Sequence, residues 1–225
     1  MSDPMTPGPI PGQNASLITL PSGPGSRRHF LKLSGAAAAL AVLGCGDDDN
    51  NGNSDAVVTL PLQSDTDILK FALFLELLEA DFYIKGVASG ALSGGVAALA
   101  TSVRNHESTH VDALQGALGA DAFDEADVGF DFGNTFASQA SFLAVAQTLE
   151  ETGVGAYLGA LPSIQSKAIR TTAGSIFTIE ARHAAAFRAY NNASGGPVPA
   201  AFVAPMTPDQ VVAAVQATGF VTRGL

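Results

Sequence analysis

The sequence predicts an all-α protein: a four-helix bundle with a long crossover between its second and third helices and a short helix near the C-terminus. Three observations carry this. Four apolar runs of helical length follow one another, no alternating strand pattern of useful length interrupts them, and the same polar residues recur within them at nearly constant intervals. Glu76 is followed by Tyr83 and then by Glu107-Ser108-Thr109-His110, and Glu150 by Tyr157 and then by Glu180-Ala181-Arg182-His183. With the few Glu and His of the exported portion placed at random, about 0.1 Glu-x-x-His matches are expected, and two occur. A helix advances about 100° per residue, so each Glu and its His lie on one face, roughly 60° apart.

The chain has 225 residues and 47% apolar content, enough for one ordinary core. Only 14% of residues are charged and the net charge is −10, so nothing resembles the basic face that nucleic acid requires. Residues 1–45 read as an export signal. A segment rich in Pro, Gly and Ser leads to Ser26-Arg27-Arg28-His29-Phe30-Leu31-Lys32 and then to the apolar run Leu33–Leu43, too short for a mature membrane span. The paired arginines resemble the twin-arginine signal, which implies translocation in the folded state. Val42-Leu43-Gly44-Cys45 resembles a lipobox and implies a membrane tether through acylated Cys45 in the periplasm or cell envelope; the alternative is a chance Cys beside an ordinary cleavage point. Cys45 is the only cysteine, so an intramolecular disulfide and a thiolate metal site are excluded. Residues 46–63 read as an acidic, flexible tether whose Asp cluster lacks the spaced ligands and closing Glu of a calcium loop.

Within the bundle, residues 64–192, the first helix starts at the cap Asp65-Thr66-Asp67 and runs to about Ile84, apolar nearly all round. The second runs from about Val96 to Leu118, after a turn of small residues. Residues 119–133, rich in Asp and Gly, cross to the second helical pair. The third helix is expected over Thr135–Leu161, and the fourth from just after Pro162 to Tyr190, because Pro suits a helix start. Residues 193–225 form a Pro/Gly-rich extension with one short helix, residues 208–218, placing Val211, Val212 and Val215 at helical spacing. The sequence contains no Gly-rich phosphate loop and no Ser or Cys nucleophile beside a His.

Glu76 shares a face with Leu69, Ala72, Ala80 and Tyr83, and Glu150 with Leu143, Ala146, Val154 and Tyr157. Glu107 and His110 lie with Ala100, Val103 and Leu114, and Glu180 and His183 with Ala173, Ile176 and Phe187. Six polar side chains thus point into one core. Four buried, unpaired carboxylates cost several kcal/mol apiece, so protons or cations must compensate them. Arg104, Lys70 and Arg182 fall off these faces and offer no equivalent balance, whereas two divalent metal ions would match the four carboxylate charges.

One Glu from each of two helices plus Glu-x-x-His from each of the other two resembles the ferritin-like di-iron and di-manganese carboxylate bundles, over about residues 64–192. With the export signal, the chain resembles exported ferritin-like domain proteins related to the desiccation-related group. The resemblance implies metal ligands Glu76 and His110 for one ion, Glu150 and His183 for the other, with Glu107 and Glu180 bridging. Tyr83 and Tyr157 are then donors or redox-active neighbours of the centre, the alternative being bundle residues with hydroxyls near a wet end. Glu79 and Glu151 are rivals for ligand roles, Glu79 at a site-facing angle and Glu151 turned to solvent. His106 turns off the face and has no counterpart at Ile179. Gly153 and Gly155 leave room for a small oxidant or allow close helix packing. The resemblance implies redox chemistry with O2 or peroxide in oxidative-stress protection, by Fe or Mn, which the same ligands serve equally. The alternatives are metal storage or sequestration in a multimeric shell, or a stress- or desiccation-protective bundle without catalysis whose polar core keeps protons instead of metal. An oligomer fits either reading, whereas the tether and C-terminal extension argue against a closed cage.

Overall fold

The computed structural model describes residues 56–225, and the four apolar runs are its four long helices. The export signal, Cys45 and the first part of the acidic tether lie outside the described residues. Helix α1, Asp65–Ala88, opens at Ser64, whose hydroxyl accepts from Asp67 N while the Asp67 carboxylate accepts from Ser64 N, two bonds that satisfy otherwise orphaned donors. Its buried residues lie on every side of the helix, so α1 is central, with other elements packed all round it. It runs four residues past the expected end, and Gly90, with φ +74°, turns the chain back. Helix α2, Gly94–Leu118, returns antiparallel to α1.

Helices α3, Gln139–Ala160, and α4, Lys167–Tyr190, form the second antiparallel pair. Both start later than the sequence predicts. Thr135–Ala137 is a single 3-10 turn, and α3 begins only after Ser138, which makes a reciprocal cap with Ser141. Pro162 lies in the turn after α3, and α4 begins after Ser166, whose hydroxyl accepts from Ile169 N. The Asp65 carboxylate at the start of α1 accepts from Gln165 N and Ser166 N, both at 2.7 Å, and holds this turn to the first pair.

The crossover and the C-terminal extension are joined. Strand β1, Gly129–Phe130, pairs antiparallel with β2, Val221–Arg223, a two-stranded ladder that leaves no mark in the sequence because strands this short carry no periodicity. The tether ends sooner than expected: Val58 is buried and Val57 N donates to Gly224 O at 3.1 Å, so residues 57–62 lie on the body. Helix α5, Pro208–Ala217, packs on α3 with Val211 and Val215 buried. The segment before it crosses α3 at two glycines. Met206 N donates to Gly155 O at 2.9 Å, and a Cβ on Gly159 would lie 1.9 Å from Met206 O, so only glycine lets the two backbones meet.

The two ends of the bundle are filled differently. Where α1 ends and α3 begins, Phe82, Phe132, Phe136 and Phe142 pack ring on ring, Phe82 stacked on Phe142 with centroids 5.0 Å apart. Gly86 sits beneath: a Cβ there would lie 2.5 Å from the Phe142 ring. At the opposite end α1 presents Ile68, Leu69, Phe71 and Ala72, and α3 presents Ala156, Tyr157 and Ala160.

Candidate metal centre

Midway along the bundle the four long helices each contribute a glutamate, and two of them a histidine, to one buried cluster. Glu76 comes from α1, Glu107 and His110 from α2, Glu150 from α3, and Glu180 and His183 from α4; all six are buried. His110 Nδ1 lies 3.2 Å from Glu76 Oε2, 3.0 Å from Glu107 Oε2 and 3.2 Å from Glu180 Oε1. His183 Nδ1 lies 3.0 Å from Glu107 Oε1 and 3.1 Å from Glu150 Oε2. The side chains fall into two overlapping sets, Glu76, Glu107, His110 and Glu180, and Glu107, Glu150, Glu180 and His183, each with one ligand atom per residue and all of these within 4.8 Å of one another.

Two tyrosines hold the outer carboxylates. Tyr157 OH donates to Glu76 Oε1 and Tyr83 OH to Glu150 Oε1, so each helical pair's tyrosine serves the other pair's glutamate. The reading that put these hydroxyls near a wet end is not met, since both side chains are buried. The shared glutamates are less provided for. Glu107 Oε1 and both Glu180 oxygens are buried without a hydrogen bond; the imidazole nitrogens approach two of them but out of hydrogen-bonding line. Buried carboxylate oxygens facing one another, three of them without a hydrogen bond among the described residues, fit a cation, and the oxygen and imidazole donor set suits a divalent metal.

The electrostatics of the protein by itself agree. Burial lifts the Glu76 carboxyl, which the His110 hydrogen bond only partly offsets, to about 8. Burial also raises Glu150 and raises Glu180 well above the carboxylate range, the latter reinforced by Glu107, Glu150 and Glu76. Glu107 goes the other way: burial raises it, but the His110 hydrogen bond and the close His183 imidazole hold it at about 2. Burial disfavours the imidazoliums, yet their carboxylate partners lift His110 to about 12 and His183 to about 9. Without a metal, protons on the imidazoles and on several carboxyls therefore neutralise the cluster.

The neighbours of the cluster differ from a simple two-fold arrangement. Glu79 is buried beside the cluster but belongs to neither set, and burial followed by the charge of Glu180 pushes its carboxyl well up. A Cβ on Gly153 would lie 3.2 Å from Glu180 Oε2 and 3.4 Å from Glu79 Oε1, so this glycine makes room for two carboxylates. Gly155 instead receives Met206, and close packing accounts for it. His106 is exposed at its edge but stacks on His183, with centroids 5.1 Å apart and planes 8° apart, and places Nδ1 2.9 Å from His183 Nε2. Glu151 lies outside the cluster, where Arg188 Nη1 donates to it at 2.6 Å. The contact between His106 and His183 spans 77 residues, and no local signal announces it.

Comparison with known families agrees with this geometry. The family described as Ferritin-like domain matches residues 64–193, more than half of the chain, and the twin-arginine translocation pathway signal sequence matches residues 26–44. No curated protein matches the chain. Among the described residues, no helix is long and apolar enough to cross a membrane. A four-helix bundle with a buried glutamate and histidine cluster, carried behind a twin-arginine signal, is an exported protein that belongs to the ferritin-like domain family.

Proposed function

We propose that the bundle holds two divalent ions of iron or manganese and uses them in redox chemistry with O2 or peroxide. The observation that carries this reading is the pair of four-residue sets sharing Glu107 and Glu180, three of whose four carboxylate oxygens, Glu107 Oε1 and both of Glu180, have no hydrogen bond among the described residues. Glu76 and His110 would hold one ion, Glu150 and His183 the other, and Glu107 and Glu180 would bridge. Two adjacent metals with one-electron couples would supply the two electrons that reduce peroxide to water.

The chain's own residues do the rest. Tyr83 and Tyr157 fix the free oxygens of Glu150 and Glu76, so each outer carboxylate keeps one oriented oxygen for the site. Apolar neighbours on the same faces, among them Ala100, Val103 and Ala146, keep bulk water out. With a metal bound, His106 Nδ1, 2.9 Å from His183 Nε2, would accept from Nε2–H and leave His183 Nδ1 unprotonated for the ion. Twin-arginine export supports loading in the cytoplasm, where the protein folds. An acylated Cys45 would then hold it in the cell envelope, and mass spectrometry finding unmodified Cys45 on the mature chain would remove that tether.

The test is elemental analysis of protein recovered from the cytoplasm before export. About two ions per chain are expected, and none in the Glu107→Ala, Glu180→Ala double variant. If that variant binds as much metal as the parent, the reading is abandoned.

A further inference from the structure

At the end of the bundle opposite the phenylalanines lies a cavity of about 290 Å³. Its walls include six alanines drawn from all four long helices: Ala72, Ala117, Ala156, Ala160, Ala168 and Ala173. Among the described residues the only polar side chains on its surface are Tyr157 and Thr172, and none of them brings a charged group to it. Ala117, Ala168 and Thr172 are exposed and form the mouth between α2 and α4, whereas Tyr157 and Ala173 are buried within it.

Beside the larger Ile68, Leu69, Phe71 and Leu114, these alanines leave space unfilled that close packing would otherwise take up. A dry cavity of about 150 Å³ lined by aliphatic and aromatic groups is enough to bind benzene. This one is about twice that, near the lower bound for ligand pockets. With no charge to pair and almost nothing to hydrogen-bond, it penalises a charged or strongly polar occupant. One of its walls is a group of the cluster itself, since Tyr157 turns its ring to the cavity and its hydroxyl to Glu76.

We infer that this cavity binds one uncharged, hydrocarbon-like small molecule, about the bulk of two fused aromatic rings, against the Tyr157 ring. The site stands on its own walls and does not require that metal be bound. A molecule seated there touches Tyr157, and through it the Glu76 carboxylate, so its presence reaches the cluster by a single hydrogen bond.

The test is calorimetric titration of the mature protein with naphthalene, with and without added Mn²⁺. One molecule per chain is expected. Ala156→Leu at the inner wall and Ala117→Leu at the mouth should each weaken binding by about tenfold or more, since each adds bulk to the space the ligand takes. Both variants are first checked for parental helicity by circular dichroism. 1-Naphthoate, the same rings with a charge, should bind at least about tenfold more weakly. No binding to the parent, equal binding to parent and both variants, or equal binding of naphthoate would each overturn the inference. Naphthalene binding by protein that takes up no metal would retain the inference and remove only the metal reading.

Discussion

Tyr83 and Tyr157 occupy equivalent places in the two halves of the bundle and make the same bond to opposite carboxylates, yet their surroundings share little. Tyr83 is enclosed by Phe82, Phe142 and Phe187, with ring centroids 5.1, 5.9 and 5.8 Å away. Tyr157 faces a cavity lined by alanines and larger aliphatic side chains, with Phe71 the one phenylalanine among its lining residues. With Glu76 aligned on Glu150, Phe82 falls on Ala156; with Glu107 on Glu180, Phe187 falls on Leu114. The repeat has kept the donor atoms of the cluster and changed the residues that seal its two ends. One end works as a plug and the other as an opening.

The largest effect should separate those ends. Phe82→Ala removes a fully buried ring that contacts four other aromatic rings, and is expected to cost about 3–5 kcal/mol in a denaturant melt. Ala156→Leu, at the aligned position, places its added carbons in empty space and should leave stability unchanged or raise it. Equal losses in the two variants would mean that the ends are packed alike.

The comparison also marks what a sequence can convey. The six cluster residues were legible because glutamate and histidine inside apolar stripes at helical spacing have few other reasons to be there, and because the pattern occurs twice. The two ends were not. An alanine in a helix serves a tight interface and an open cavity equally, and only the position of its neighbours decides. The same holds for Gly153 and Gly155, two residues apart, one making space for carboxylates and the other for Met206. The late starts of α3 and α4 rest on which of several serines turns its hydroxyl to the backbone. The β1–β2 ladder joins segments too short to have a period.

A second difference is between the protonated cluster and the metal-filled one, and pH should expose it. His183 rises from 6.5 to about 9, and His110 from 6.5 to about 12, so the stability each contributes is full below 6.5 and is lost as pH climbs through those values. Glu76, raised from 4.5 to about 8, acts in the same direction, because its protonated form is the one the fold favours. The depressed Glu107 contributes constantly above 4.5 and loses its share only toward pH 2. Metal-free protein should therefore melt at a lower temperature at pH 9 than at pH 6. Metal must displace the same protons, so its affinity should rise between pH 6 and 8 by about tenfold per pH unit for each proton released. A pH-independent affinity would contradict this account of the cluster.

The halves differ again at the histidines. His183 Nε2 meets His106, while among the described residues His110 makes its hydrogen bonds only through Nδ1. His106→Ala should weaken one of two bound ions by about 10- to 100-fold and leave the other near its parental affinity, as loss of a ligand's outer hydrogen bond does. His106→Asn, which retains an acceptor, should recover part of the loss. Equal weakening of both ions would place His106 in a general structural role and remove the distinction.

The smallest effect lies where the asymmetry is most local. Glu79 aligns with Gly153, so one half carries an extra buried carboxyl where the other carries no side chain, and that carboxyl occupies the space the glycine leaves. Its raised pKa means that the folded protein must keep a proton there which the unfolded chain releases above about pH 4.5. That requirement destabilises the fold increasingly as pH rises. Glu79→Gln removes the requirement at nearly constant shape, and should raise the melting temperature of metal-free protein by a few degrees at pH 8 and hardly at all at pH 4. Metal stoichiometry should not change, because Glu79 stands outside both ligand sets. If Glu79→Gln loses an ion, Glu79 is a ligand after all, and the cluster's two halves differ in their donor atoms as well as in the packing around them.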